Sequence, residues 1–320
     1  MSRVLAHLRG LWGRWWILPG GIPVAYAVVM WAIGDLRPEH VIIPAIACVL
    51  AYTGPRTKRF FVDASPYLAV AFGYDSVRYA REAFVSADRV VGCGLRNAEL
   101  SLFSVSPGVT VQDYFALHHN IVADLICSIP YAIFAYVAIL YAAYLFFVDR
   151  RRMRHYLWAF AIANFISFTM WLIVPAAPPW YIRQYGCAID MNALPSAAGL
   201  NRVDAYLGIH YFHTFYSRAA SVYGAMPSMH CAYPVLGLLT AWKAAGWKTR
   251  PIHIGYAILM FSAAVYLDHH WILDGLAGWA VAVVAVVVAK RLLIRFGLWH
   301  EVDAAEAEVP APQPASAAAE

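Results

Sequence analysis

The run IVADLICSIPYAIFAYVAILYAAYLFFV, Ile121 to Val148, is followed at once by DRRRMR, Asp149 to Arg154. As a helix the run is long enough to cross the roughly 30 Å of hydrocarbon in a bilayer. Arg150, Arg151, Arg152 and Arg154 form the kind of basic cluster that stays on the cytoplasmic side. This stretch reads as a transmembrane helix and its cytoplasmic turn.

Working outward, further apolar runs lie at 15–34, 38–54, 61–77, 155–175, 227–243, 251–267 and 271–289. The chain of 320 residues is 62% hydrophobic and 13% charged, with a mean hydropathy of +0.56. Soluble domains carry about 25% charged residues. A compact core does not require long apolar runs one after another, and a bilayer does. The net charge of +5 does not argue for a nucleic-acid partner, because the basic residues cluster between apolar runs, as cytoplasmic loops do. The fold expected is all-α, a polytopic transmembrane helical bundle with about eight crossings.

The run at 61–77 is the weakest, since it contains Asp63, Pro66 and Asp75. The basic loops at 55–60 and 149–155 both belong in the cytoplasm, so a crossing is needed before residue 121, and 61–77 is the one candidate. Eight crossings then put both termini and all four lysines, Lys58, Lys243, Lys248 and Lys290, inside. Two long segments, about 78–120 and 176–226, fall outside. Loops of that length are usually functional or disordered, and the Trp, Tyr, Phe and His in these argue against disorder. The domains expected are an N-terminal transmembrane hairpin over 1–60, a catalytic membrane domain over 61–298, and a disordered cytoplasmic tail over 299–320, which is rich in Ala, Pro and Glu. Cys93 and Cys187 both lie in the outer segments, where a disulfide is possible in an oxidising compartment; the sequence leaves their pairing open.

Ionisable groups at membrane depth are costly and therefore candidates for function. In LDHHWILDGLAG, Leu267 to Gly278, His270 and Asp274 stand four apart, on one face of a helix. A carboxylate bonded to one ring nitrogen sets the tautomer and raises the basicity of the other. A polar pair joining two helices is the plainer reading of this cluster alone. In GAMPSMHCAYP, Gly224 to Pro234, Pro227 suits a first helical turn, with Ser228 and His230 beside it. Such a helix start attracts a phosphate, and a histidine there is placed to protonate a leaving oxygen. Alone, it reads more readily as an ordinary helix start with an interfacial histidine. Topology brings both clusters to the outer membrane face, and two histidines with an aspartate at one depth are what in-line phosphoryl transfer through a phosphohistidine needs.

The motifs PSMH and HWILD resemble two signatures of the type 2 phosphatidic acid phosphatase superfamily. The segments APPWY (Ala177 to Tyr181), GLNRVD (Gly199 to Asp204), YSRAASVYGAMPSMH (Tyr216 to His230) and YLDHHWILDGLAG (Tyr266 to Gly278) resemble its inositol phosphorylceramide synthase branch. With RFFVDASPYLAVAFGYDSVR (Arg59 to Arg78), the likeness covers about two thirds of the chain. The resemblance implies a six-helix phosphatase-type core that uses no metal and no cofactor. It makes His270 the nucleophile, Asp274 its orienting carboxylate, His230 the general acid and Ser228 a phosphate contact. Its substrates are membrane lipids: a glycerophospholipid such as phosphatidylinositol donates its phospho-headgroup to a ceramide-like alcohol. The sequence identifies no protein partner.

The chain departs from the phosphatases where they carry Ser-Arg ahead of the last motif; Ala263 and Ala264 stand there. The basic first phosphatase motif is missing too. The ceramide-modifying branch lacks the same features. Arg218, Arg78 and Arg202 are therefore the candidates to bind the phosphate, since it needs bidentate donors, although loop arginines are commonly solvated. Asp204 is a candidate for a headgroup hydroxyl, against the plainer role of turn or cap. Trp180 and Tyr181 are candidates to shape lipid access, against the plainer role of interface anchors. Two rivals remain: a lipid-phosphate phosphatase of the same superfamily, and a proton-coupled carrier using the same His and Asp groups as a relay. A carrier usually shows repeats, and no repeat is visible here.

Overall fold

The computed structural model describes residues 3–299. The expected tail therefore lies outside the described residues from position 300 onward. Among the described residues there is no strand, only helices, two short 3-10 turns and isolated bridges. The chain forms two compact units that divide at Pro66, inside a long helix.

The first unit holds α1 (Arg3–Trp12), α2 (Leu18–Ala32), α3 (Pro38–Tyr52) and the start of α4 (Pro55–Phe84). Proline in the first turn starts both α2 and α3, where its missing N–H costs nothing. The two helices pack side by side. The Tyr52 hydroxyl accepts from the Gly20 N–H (2.9 Å) and donates to the Trp16 carbonyl (2.8 Å). The Trp12 indole donates to the Ala51 carbonyl at 2.8 Å, fixing α1 across the hairpin's end.

The second unit continues α4 from Tyr67. It adds α5 (Cys93–Phe103), α6 (Val111–Leu117), α7 (Ile121–Val148), α8 (Arg150–Ile173), α9 (Pro179–Tyr185), α10 (Leu200–Leu207), α11 (Tyr211–Tyr216), α12 (Met229–Ala241), α13 (Arg250–Tyr266) and α14 (Ile272–Arg295). Asp149 alone separates α7 from α8. Its carboxylate accepts from the Arg152 N–H at 2.9 Å, so the same residue ends one helix and caps the next. Helices α8, α12 and α14 pack mutually, and α13 joins them to α7. The second part of α4 lies on α8: Tyr67 stacks on Phe160, and a Cβ at Gly73 would come within 3.0 Å of Phe165.

All eight apolar runs fall on helices, but several helices are shorter than the runs implied. Three described helices, α7, α8 and α14, are long and apolar enough to cross a membrane; α1 and α2 together pass the same test across an 87° bend. Helices α2 and α3 have 15 residues each, and α12 has 13, the last about 20 Å long. Helix α4 reaches 30 residues, but Arg56, Lys58, Arg59, Asp63, Asp75, Arg78, Arg81 and Glu82 lower its hydropathy.

The two long segments expected outside, about 78–120 and 176–226, build a cap from α5, α6 and α9–α11. Cys93 and Cys187 are disulfide-bonded, with Cα atoms 5.4 Å apart, and so join the segments. Isolated bridges pair Ala176 with Val91 and with Gly224. Arg183 grips Asp268 with two hydrogen bonds (3.1 and 2.8 Å). Asp113 lies between Arg96 (2.7 Å) and Arg183 (3.5 Å). This chain of charges anchors the loop between α13 and α14 to the cap. Burial still pushes the Asp268 carboxyl up to about 7, against the pull of Arg183.

Candidate active site

The site lies where the N-termini of α12 and α14 meet under the cap. Ser228 caps α12 by accepting from the Cys231 N–H at 3.3 Å. Its own N–H donates to the Asp274 carbonyl at 2.9 Å. A Cβ at Gly278 would collide with the Ser228 carbonyl oxygen, so the close approach of the helices depends on glycine. The start of α14 is held by two carboxylates. Asp274 accepts from the Trp271 N–H (2.9 Å), and the buried Glu99 of α5 accepts from the Leu273 N–H (2.7 Å). Acidic groups at a helix N-terminus are favourable, although burial raises the Glu99 carboxyl from its usual range.

Three predicted catalytic residues come together here, although His270 precedes the Trp271 cap of α14 and does not share a helix face with Asp274 as its spacing suggests. His270 Nε2 is 3.1 Å from His230 Nδ1. His270 Nδ1 is 3.0 Å from the Ala225 carbonyl oxygen and 3.5 Å from Asp274 Oδ2. A carbonyl only accepts, so Nδ1 carries the proton and Nε2 keeps its lone pair. The tautomer expected from Asp274 alone is thus set jointly, with the backbone the nearer acceptor. His230 Nδ1–H then donates to His270 Nε2, which leaves His230 Nε2 to accept from the Tyr216 hydroxyl at 3.1 Å. Three side chains form one polarised line: Tyr216, His230, His270. Tyr131 stacks on the His230 ring at 4.6 Å, and Phe134 meets it edge-on at 4.8 Å, so its orientation is fixed by packing.

The line opens on a cavity of about 300 Å³. Helices α7, α8 and α12 form its deep wall; the cap segments around Trp180 and Ser221 form its rim. None of the described residues lining it is Lys or Arg. His269 also faces it. Burial and the adjacent His270 ring hold His269 down at about 3, and its Nε2–H donates to the Ala197 carbonyl at 2.9 Å. Ala264, at the phosphatase arginine position, is fully buried, and its carbonyl accepts the backbone N–H groups of His269 and His270.

The other predicted contacts divide. Trp180 lines the cavity. Tyr181 packs behind it, its hydroxyl donating to the Ala188 carbonyl. Ser228 is buried, with its oxygen used as the cap. Arg202 is spent on Asp124, which it holds at 2.6–3.2 Å. Asp204 accepts from the Phe212 and His213 N–H groups, the plainer cap role. Arg78 donates to the Arg218 carbonyl at 2.8 Å, beside the cavity rim, and the Arg218 side chain is exposed. The sequence assigned no role to Tyr216, Ala225, Glu99 or Arg183. Tyr216 opens one of the quoted motifs, but a contact 14 residues away across a turn leaves no periodic signal. A backbone acceptor such as Ala225 leaves none at all.

The family model for the PAP2 superfamily matches residues 99–288. The chain is similar to a phosphoinositol dihydroceramide synthase of Bacteroides thetaiotaomicron, 35% identical over 248 residues, which are 76% of this chain and 81% of that protein. It is also similar to the inositol phosphorylceramide synthase catalytic subunits of Schizosaccharomyces pombe (25% identical, 77% of this chain, 58% of the relative) and Saccharomyces cerevisiae (30%, 70% and 55%). The chain thus spans little more than half the length of these two fungal relatives. No solved structure matches it.

Proposed function

The chain belongs to the PAP2 superfamily, and from that premise we propose that it is a membrane phosphotransferase that moves a phosphoinositol headgroup from a glycerophospholipid to a ceramide-like lipid alcohol. The observation that carries the reading is the His270 Nε2 to His230 Nδ1 distance of 3.1 Å, with His270 Nδ1–H held by Ala225 and Asp274. The nucleophilic lone pair accepts from the proton donor in this structure, and that hydrogen bond opens as phosphorus enters between the two rings. His270 Nε2 attacks phosphorus, the bond from phosphorus to the glycerolipid oxygen breaks, and His230, once a second proton on Nε2 has turned Tyr216 into the acceptor, gives its Nδ1 proton to that oxygen. The headgroup is then a phosphoramidate on His270. The acceptor hydroxyl loses its proton to His230 and attacks phosphorus, and the P–N bond breaks to restore His270.

Two features favour transfer from a phosphodiester over hydrolysis of a phosphomonoester. None of the described lining residues is Lys or Arg, which suits one negative charge better than two. The deep wall is largely aromatic and aliphatic, with Asn164 and the Tyr233 hydroxyl its polar exceptions, and a site that excludes water favours an alcohol acceptor. With purified protein in detergent micelles, phosphatidylinositol and a fluorescent ceramide, the expected result is a new headgroup-bearing ceramide. Phosphate released from phosphatidic acid, with no ceramide product, would make the protein a lipid phosphatase instead.

Tyr216 acts through His230 as a positioning residue. Tyr216→Phe is expected to lower kcat about tenfold with KM unchanged, the effect of losing one buried hydrogen bond that matters only in the chemical step. A raised KM at constant kcat would assign Tyr216 to lipid binding.

The reaction takes place at the extracytoplasmic or luminal face. The basic turn at Arg150–Arg154 lies at the opposite end of α7 and α8 from the site. The Cys93–Cys187 bond in the cap suits an oxidising compartment. A reporter enzyme fused after Ser106 is expected to give an extracytoplasmic signal; a cytoplasmic one overturns this orientation.

A further inference from the structure

The cavity continues past the histidines to a polar pair that phosphoryl transfer itself does not use. Tyr233 and Asn164 both line it. Asn164 is 2% exposed and lies nine residues inside the outer end of α8 at Ile173, about 14 Å down the helix. Polar side chains at that depth are costly and usually have a task. The Tyr233 hydroxyl donates to Asn164 Oδ1 at 2.8 Å, and Asn164 Nδ2 donates to the Phe160 carbonyl at 2.8 Å. The Tyr233 ring is stacked between Phe160 (4.7 Å) and Phe134 (6.2 Å), so its hydroxyl is held in place.

Counting donors and acceptors shows what the pair offers. After these bonds the Tyr233 oxygen keeps acceptor lone pairs, and the Asn164 amide keeps a second N–H. One acceptor and one donor thus stand in the cavity wall. His230 and Tyr233 are three apart on α12, on one face and about one turn of 5 Å from each other.

We propose that Asn164 and Tyr233 form the subsite for the acceptor's polar backbone, and that this acceptor carries a secondary amide on the carbon next to its hydroxymethyl group. The proposal rests on the transfer reading above. With the hydroxyl at His230, the neighbouring amide reaches Tyr233: its N–H donates to the Tyr233 oxygen, and its carbonyl accepts from Asn164. Diacylglycerol, the leaving product, has ester oxygens and no N–H. It leaves the Tyr233 acceptor unpaired, and a site built for a hydrogen bond rejects an analogue that lacks it. The pair thereby selects the incoming alcohol over return of the departing one.

The test uses the full chain in micelles with phosphatidylinositol as donor and three acceptors: ceramide, ceramide methylated on its amide nitrogen, and diacylglycerol. Wild type is expected to prefer ceramide to the N-methyl form by about tenfold or more in kcat/KM. Tyr233→Phe, which keeps the stacked ring, is expected to raise the ceramide KM about tenfold and bring the two acceptors level. It leaves the single-turnover release of diacylglycerol from the donor unchanged. Equal losses on both acceptors, or a ceramide preference that survives in Tyr233→Phe and Asn164→Ala, would overturn the subsite while leaving the transfer reading intact. Absence of product from every acceptor in wild type would overturn both.

Discussion

His270→Ala is expected to abolish headgroup transfer, with a fall in kcat on the order of 10⁴-fold or more. The size follows from the step lost. Without Nε2 there is no covalent intermediate, and the Ala225 carbonyl and Asp274 retain nothing to orient. The substitution removes a ring that is 7% exposed, so folding is checked by the thermal unfolding of the purified protein. The decisive measurement is single-turnover. Wild type with a donor labelled in the headgroup phosphate releases diacylglycerol and leaves an acid-labile label on the protein before acceptor is added. The variant does neither. Retained labelling in His270→Ala would move the nucleophile elsewhere, and His230, at 3.1 Å, would be the group to examine.

His230→Ala is expected to cost about 10²–10⁴-fold with the natural donor, the usual worth of a positioned general acid. The loss depends on the leaving group. A glycerolipid alkoxide needs a proton as it departs, whereas an aryl oxide does not. With a 4-nitrophenyl phosphodiester of the same headgroup, the first step is expected to fall less than tenfold. This contrast separates acid catalysis from a structural role, because a collapsed site slows both donors alike. His230 is held by Tyr131 stacking and by the Tyr216 bond, so the ring is the element to remove while its aromatic cradle stays. Equal losses with both donors would exclude His230 as the acid.

Much of this enzyme was legible in the amino-acid order because it is written in short periods. A run of apolar residues reports a helix in lipid directly, since no backbone group can remain unbonded there. All eight runs fall on helices. His270 and Asp274 do meet, 3.5 Å apart, but not across a helical turn: His270 stands in the loop ahead of the Trp271 cap, and only Asp274 is on α14. Pro227 suits a first helical turn, but α12 begins at Met229, with Ser228 as its cap and Pro227 ahead of it. Span lengths were less legible. Helix α12 stops after 13 residues and α4 runs to Phe84, well past its apolar run.

The roles of the arginines were not legible. Arg202, one candidate for the phosphate, is bound to Asp124, 78 positions away. Arg183, which received no role, holds Asp268 beside His269 and His270 from 85 positions away. Pairing energies act through space, and a charge carries no mark of its partner.

The amino-acid order by itself determined the membrane class, the helices, the local His–Asp pair and the likeness to the family, since each depends on neighbours within a few turns. Only the tertiary structure decided the Cys93–Cys187 bond, the line from Tyr216 through His230 to His270, and the polar pair Asn164 and Tyr233 in the cavity wall. These depend on where helices distant in sequence cross. That crossing is set by side-chain packing and by a close approach at Gly278 that no local pattern encodes.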